Sequence, residues 1–443
     1  MRRTPTRPRL PHPFAVLAAL VVLLPPGAPA LGQAATTTAP PAAGVSARPA
    51  AGGSANRLLR LVEVLDGYVE RGQLPGGALY VSRRGHVVAH HAFGYRDLEA
   101  RDPMATDDLF RIASQTKALV SVAVLMLQEE GRLLIGDPVS RYLPEFAETT
   151  VAERREGGGY EVVPARRPIT LRDLLTHTSG VGYGDGVAAD RWKEAGIQGW
   201  YFAHRDEPVR ETVRRMAALP FDAHPGERFV YGYSTDILGA VVEAVSGLTL
   251  DAFLQSQILG PLGMRDTHFY VPRGDEDRVV TVYGRTAEGT LRRAPDGAGM
   301  ATQGQYVDGP RASFSGGAGL VSTAGDYGRF LQMLLNGGSL DGVRILSPST
   351  VALMTVDHLG GLYGSPGMGF GLGFSVVEDM GARGVPGSVG EFGWGGAYHS
   401  SYWVDPDEEL VVVYLTQVIP ATGLDDFGKV RALVYQALTG SGR

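Results

Sequence analysis

The sequence predicts an α+β fold in which one antiparallel sheet is built from both chain ends and flanked by helices, with a large, mainly helical subdomain inserted between the two halves. Three observations predict it. A helix-then-hairpin pattern opens the folded part, strand signals return only near the far end, and the stretch between reads as helices and long loops.

The elements follow in order. Residues 57 to 71 place Leu58, Leu59, Leu61, Val62, Leu65 and Val69 at helical spacing, with Gly72 as the stop. Leu79 to Ser82 and His86 to Phe93 flank the turn Arg83-Arg84-Gly85 and read as a hairpin packed on that helix. His86 and His90 lie roughly 13 Å apart along such a strand, too far for a shared metal, and read as ordinary strand residues. From Ala118 to Leu127 the chain is almost continuously apolar, the mark of a buried helix, and Gly131 closes it. Between about 135 and 310 no strong strand alternation is visible, and helices are expected at Leu171 to Thr176, Pro208 to Leu219, Thr235 to Val245 and Leu250 to Leu259. After Phe314 strands return, at Leu372 to Val377 and at Ala397 to Val404 and Leu410 to Thr416, the last two joined by the turn Asp405-Pro406-Asp407. The domain is therefore expected over 56–440, with the sheet part at about 56–113 and 312–440 and the helical part at about 114–311.

Ahead of it, Arg2, Arg3, Arg7 and Arg9 precede an apolar run from Phe14 to Leu24 and then Ala28-Pro29-Ala30, the layout of a secretory signal peptide over residues 1–30. The run is shorter than the roughly 20 residues that span a bilayer, so an exported chain, periplasmic or secreted, with no membrane span after signal removal is expected. Residues 31–55, rich in Ala, Pro and Thr, read as a disordered linker.

At 443 residues, 44% hydrophobic and 20% charged, the chain is long enough for a sizeable core, and its net charge of -6 argues against nucleic acid as a partner. With no cysteine, thiolate metal sites and a cysteine nucleophile are excluded together. Neither a Gly-x-Ser-x-Gly elbow nor a His-Glu-x-x-His helix is present, and no metal or organic cofactor is implied. The sequence leaves the oligomeric state open.

Only three lysines occur, Lys117, Lys193 and Lys429. An ammonium can surrender its proton when desolvated and a guanidinium cannot, so a lysine in an arginine-rich chain needs a reason. Ser114 stands three residues before Lys117, on the same face of the helix the pair begins, where the helix dipole favours developing negative charge. The pair reads either as a nucleophile with its proton acceptor or fixed cation, or as a solvated lysine ending a polar turn.

The surroundings match a known family at several separate points. Leu109 to Lys117, Ile169 to Gly180 (ITLRDLLTHTSG), Pro225 to Tyr231 (PGERFVY), Pro261-Leu262-Gly263-Met264 and Gly317 to Thr323 (GAGLVST) together resemble the serine β-lactamase and penicillin-binding protein superfamily, in its class C β-lactamase-like, esterase branch. The resemblance implies a β-lactamase/transpeptidase-like fold and an acyl-enzyme on Ser114. It makes Tyr231 a proton relay, and a phenol, titrating near about 10 when unperturbed, needs a cation such as Lys117 to serve as a base. It also makes Trp394-Gly395-Gly396 the third motif, with the Ala397 and Ser114 amides as the oxyanion hole. Two departures bear on substrate. Tyr233 stands where the family usually has a substrate-binding asparagine, and Trp394 where many members have a lysine suited to a carboxylate. Both point to a neutral small-molecule ester or amide, with the ester favoured. The alternatives are a D-alanyl-D-alanine carboxypeptidase or β-lactamase, and a sensor protein that is acylated without turnover. His177 is expected to cap a helix end and His399 to sit on the rim, neither as a catalytic group.

Overall fold

The computed structural model describes residues 54–439. The expected leader and all but the last two residues of the expected linker lie outside the described residues. Helix α1 (Ala55–Glu70) buries Leu58, Leu61 and Leu65, as the spacing predicts, but leaves Leu59, counted with them in the sequence, in solvent. The chain then enters an eight-stranded sheet through β1 (Gly76–Arg83), β2 (His86–Asp97) and the short β3 (Asp102–Pro103). It returns to the sheet only with β4 (Met368–Phe370), β5 (Ser375–Val377), β6 (Phe392–Gly396), β7 (Ser400–Asp405) and β8 (Leu410–Leu415). The spatial order is β4-β5-β6-β7-β8-β1-β2-β3, and the seam between the two chain ends is the antiparallel pair β1 and β8, with Ala78 opposite Leu415 and Arg83 opposite Leu410.

The second half of the sheet thus begins near residue 368, later than the expected 312. Residues 312–367 hold α4 (Ala324–Leu335), which packs on the sheet, and the helix Pro348–Met354. Strand also occurs where none is expected, in the hairpins Thr150–Arg154 with Tyr160–Pro164 and Tyr283–Arg285 with Leu291–Arg293. Their arms of three to five residues are too short for a period-2 pattern to stand out.

Two apolar layers flank the sheet. On one face α1 and the last helix, α5 (Asp426–Ala437), cover Leu79, Val81, Trp403, Val412 and Tyr414. On the other, α4 lies between the sheet and the helical region, whose centre is α2 (Thr116–Glu129) packed against α3 (Ser234–Ser246). In α2 every residue from Thr116 to Leu125 is buried, so the apolar run is a core helix. Among the described residues no single helix is long and apolar enough to cross a membrane. The two ends of the described chain are tied together: Ser54 N donates to Ala437 O (2.9 Å) and Arg57 Nη1 to Gln436 O (2.8 Å).

Candidate active site

Ser114 sits in a 3-10 turn, Ala113–Gln115, that runs directly into α2. Ala113, just before it, has φ +44°, a conformation L-residues avoid at a cost on the order of 1–3 kcal/mol, held here by the surroundings. Tyr327 Oη donates to Gln115 O (2.8 Å), Gln115 Nε2 donates to Ser400 Oγ on β7 (3.1 Å), and Leu320 N donates to Thr116 Oγ1 (3.1 Å). The serine is half-buried while its neighbours on both sides are buried, so the turn is clamped and only the nucleophile position opens outward.

Lys117 is 2% exposed. Its Nζ donates to Gly317 O (2.8 Å), Tyr183 Oη (3.0 Å) and, at longer range, Ser114 Oγ (3.4 Å), and lies 4.6 Å from the centre of the Tyr231 ring. Three acceptors match the three N–H bonds of an ammonium. Among the described residues no carboxylate lies within ion-pair distance of Lys117, and Tyr183, Tyr231 and Ser114 are the side chains around its Nζ. The carbonyl it uses is positioned by Asp236 on α3, which accepts from Ser315 Oγ (2.6 Å) and Gly317 N (3.1 Å). Burial pushes the Asp236 carboxyl up, against these bonds and the pull of Lys117. A Cβ on Gly317 would stand 2.4 Å from Asp236 Oδ2, so only glycine allows this approach.

Tyr231 leads into α3 and its oxygen accepts from Trp394 Nε1 of β6 (3.0 Å). Behind it lies His177, ring centres 4.6 Å apart, which also touches Phe229 and Phe370. The expectation for His177 holds through its backbone: the helix Leu171–Leu175 ends at Thr176, and His177, at φ +54°, donates its N–H to Leu174 O (3.2 Å) while its ring turns into the core. Burial, reinforced by the Lys117 charge, pushes its imidazole well below the ordinary range.

Strand β6 approaches the serine turn closely, since a Cβ on Gly396 would fall 2.5 Å from Ile112 O. Ser114, Tyr183, Trp200, Tyr231, Trp394, Gly395, Gly396 and Ala397 line one cavity of about 600 Å³. The structure therefore brings together every sequence-nominated residue but one. Tyr233 is the exception: it is fully buried, stacked between Trp192 and Phe202, and its Oη donates to Gly199 O (2.7 Å). A phenol is larger than the asparagine it replaces and finds its volume in the core, so Tyr233 shapes the wall from behind and does not line the cavity. His399 also differs from expectation, pairing with the buried Asp426 of α5 (2.8 Å) and stacking on Phe427.

Sequence reasoning missed Tyr183. It lies in an irregular loop between Gly182 and Gly184, where periodicity carries no information, and the glycines on either side were the only signal. Tyr183 is half-buried, and desolvation of its phenol together with Tyr231 and Asp236 raises it well above its ordinary value, so it stays protonated.

A serine bonded to a buried lysine, with a tyrosine facing that lysine and a glycine strand closing over the serine turn, defines the acyl-enzyme class of serine hydrolases. The beta-lactamase family model matches residues 61–434, and the chain belongs to that family. Its relatives include Esterase EstB of Burkholderia gladioli, 35% identical over 82% of this chain and 91% of that protein, and the lovastatin esterase of Penicillium rubens, 30% identical over 80% and 92%. Among solved structures, EstCE1, described as a hydrolase with promiscuous acyltransferase activity, superposes with a TM-score of 0.76 at 30% identity, covering 86% of this chain and 99% of its own. The chain is a serine hydrolase with the β-lactamase/transpeptidase-like fold.

Proposed function

We propose that the protein is an exported carboxylesterase acting on small esters. The observation that carries the reading is the Ser114, Lys117 and Tyr231 cluster at the mouth of a cavity whose third motif is Trp394-Gly395-Gly396, so no lysine stands there to receive a substrate carboxylate. The esterase relatives support it. Ser114 Oγ attacks the ester carbonyl, and its proton passes to the Tyr231 oxygen beside the Lys117 cation. Trp394 Nε1 donates to the Tyr231 oxygen and Lys117 Nζ lies beside its ring, which positions Tyr231 as the acceptor. The Ser114 and Ala397 amides hold the oxyanion, a contribution of about 3–4 kcal/mol where one such donor has been removed elsewhere. The alcohol leaves with the proton, and water, activated by the same groups, releases the acid.

The test is a panel of short-chain p-nitrophenyl esters, nitrocefin and a D-alanyl-D-alanine peptide. Turnover of the esters alone is expected, with labelling by a fluorophosphonate. Ser114→Ala should abolish both, and Tyr231→Phe should lower kcat by roughly 10²–10⁴. Nitrocefin turnover or D-alanine release would replace the esterase reading with one of its rivals. A burst of one acyl group per chain with no steady state would mark an acylated sensor. A second reading, transfer of the acyl group to an alcohol, draws on the printed description of EstCE1, and added short alcohols giving new esters would support it. Export is tested by finding the mature chain outside the cytoplasm with its N-terminus near residue 31.

A further inference from the structure

The cavity that holds Ser114 does not end at the reacting groups. Along β6 the residues alternate, and Gly393 and Gly395 face the layer of α5, opposite Trp403 and Ser401 of β7. No side chains stand at these two positions, and the lining of the same cavity also includes Trp403, Phe427, Arg383, Glu391 and Arg431, which together are called its second lobe. A strand rise of about 3.4 Å per residue puts Gly393 roughly 10 Å from Gly396, so this lobe lies a long substrate arm away from the serine.

Its chemistry is cationic. Glu391, 2% exposed, accepts from Arg431 Nη2 (2.7 Å) and Nη1 (2.8 Å), from Arg383 Nη2 (2.9 Å) and from Tyr435 Oη (2.8 Å). Arg431 Nη1 also donates to Pro386 O (2.9 Å), and the guanidinium lies on the Trp403 ring at 4.3 Å. One carboxylate thus faces two guanidiniums. A further acid, Asp405, shares the Tyr435 hydroxyl (2.7 Å) and does not line the cavity. Burial pushes the Asp405 carboxyl up, toward its neutral form. Of the ten N–H bonds on the two arginines, the contacts above use four, and Arg383 Nη1 is buried with no hydrogen-bond partner among the described residues. An excess cation with unused planar donors, at the end of an aromatic trough, is suited to a carboxylate.

We propose that the Arg383 and Arg431 lobe receives a carboxylate at the far end of one arm of the ester, so that the preferred substrates are long esters carrying a terminal acid. The inference rests on the esterase reading above. It places the anion site behind the glycine strand and not at the third-motif position that Trp394 occupies.

The experiment uses the full chain and two matched series. On the acyl side, p-nitrophenyl monoesters of adipic, suberic and sebacic acids are compared with p-nitrophenyl hexanoate, octanoate and decanoate. On the alcohol side, 8-acetoxyoctanoate is compared with octyl acetate. At one arm length the acid should exceed its neutral partner in kcat/KM by about tenfold or more, mostly through KM. In Arg383→Gln, where Glu391 keeps both bonds to Arg431, that ratio should fall toward one. Arg383→Lys, which keeps the charge, should retain part of it. Hydrolysis of the neutral esters with no preference for the acid in either series overturns the inference and leaves the esterase reading standing. A protein that hydrolyses neither and leaves Ser114 unlabelled overturns both. The wild-type series decides without any variant having to fold.

Discussion

His177 shows how a residue can matter to the site without touching substrate. It fills the space behind Tyr231, and its imidazole is held neutral by burial first and by Lys117 second. A histidine whose folded pKa is depressed takes up its proton more readily when unfolded. Its contribution is therefore complete above the unfolded value of about 6.5 and is lost as pH falls below it, at no more than about 1.4 kcal/mol per pH unit. Denaturant midpoints measured between pH 7.5 and 5 should show this slope in the wild type, and His177→Asn should be less stable at pH 7.5 but flatter with pH. An unchanged slope would remove His177 from the account. The same scale shows where sequence reading works. Ser114 and Lys117 were legible because their spacing is a helical geometry and their flanks are motifs. Tyr233 was misplaced because a motif position gives no direction for its side chain, and whether a phenol points to cavity or core depends on Trp192 and Phe202, distant in sequence. Tyr183 was invisible for the related reason that loop residues reach a site by tertiary path alone.

At the scale of elements, the site depends on how near β6 comes to the turn that starts α2. Gly396 sets that spacing, and Gly396→Ala would push Cβ to within 2.5 Å of Ile112 O. The obstacle is backbone on both sides, so strand and turn must separate, which would undo the proposed convergence of the Ala397 and Ser114 amides on one oxygen. A loss of kcat on the order of 10²-fold is expected with a smaller change in KM, checked by steady-state kinetics normalised to fluorophosphonate-titrated sites. A variant with unaltered kcat would show that the amides do not act together. Helices α1 and α2 and strands β1, β2, β7 and β8 were readable because each is long enough for its period to repeat. The short hairpins at 150–164 and 283–293 were not, and neither was β4, which the edge of β5 recruits, whereas β5 lies inside the expected strand Leu372 to Val377.

At the scale of the whole molecule, the closing seam of β1 on β8 and the contact of α1 with α5 bring the ends of the described chain side by side. A circular permutant that joins residue 439 to residue 54 through a short Gly/Ser linker, and opens the chain at the turn Gly157-Gly158-Gly159, should fold and retain ester turnover, since that turn is exposed and the joined ends already meet. Loss of the cooperative thermal transition in the permutant would mean that the seam needs its natural order of connection. That order has a cost in time. Tyr68 of α1 bonds Asp425, 357 positions later, and until that region is made β1 has a hydrogen-bonding partner on one side only. At roughly 5–20 residues per second of synthesis, the first hairpin waits on the order of 20–70 seconds with an apolar face uncovered and an edge unpaired. For that interval the nascent chain is a template for association with other chains, so the yield of native protein depends on how well something else covers β1 before β8 arrives.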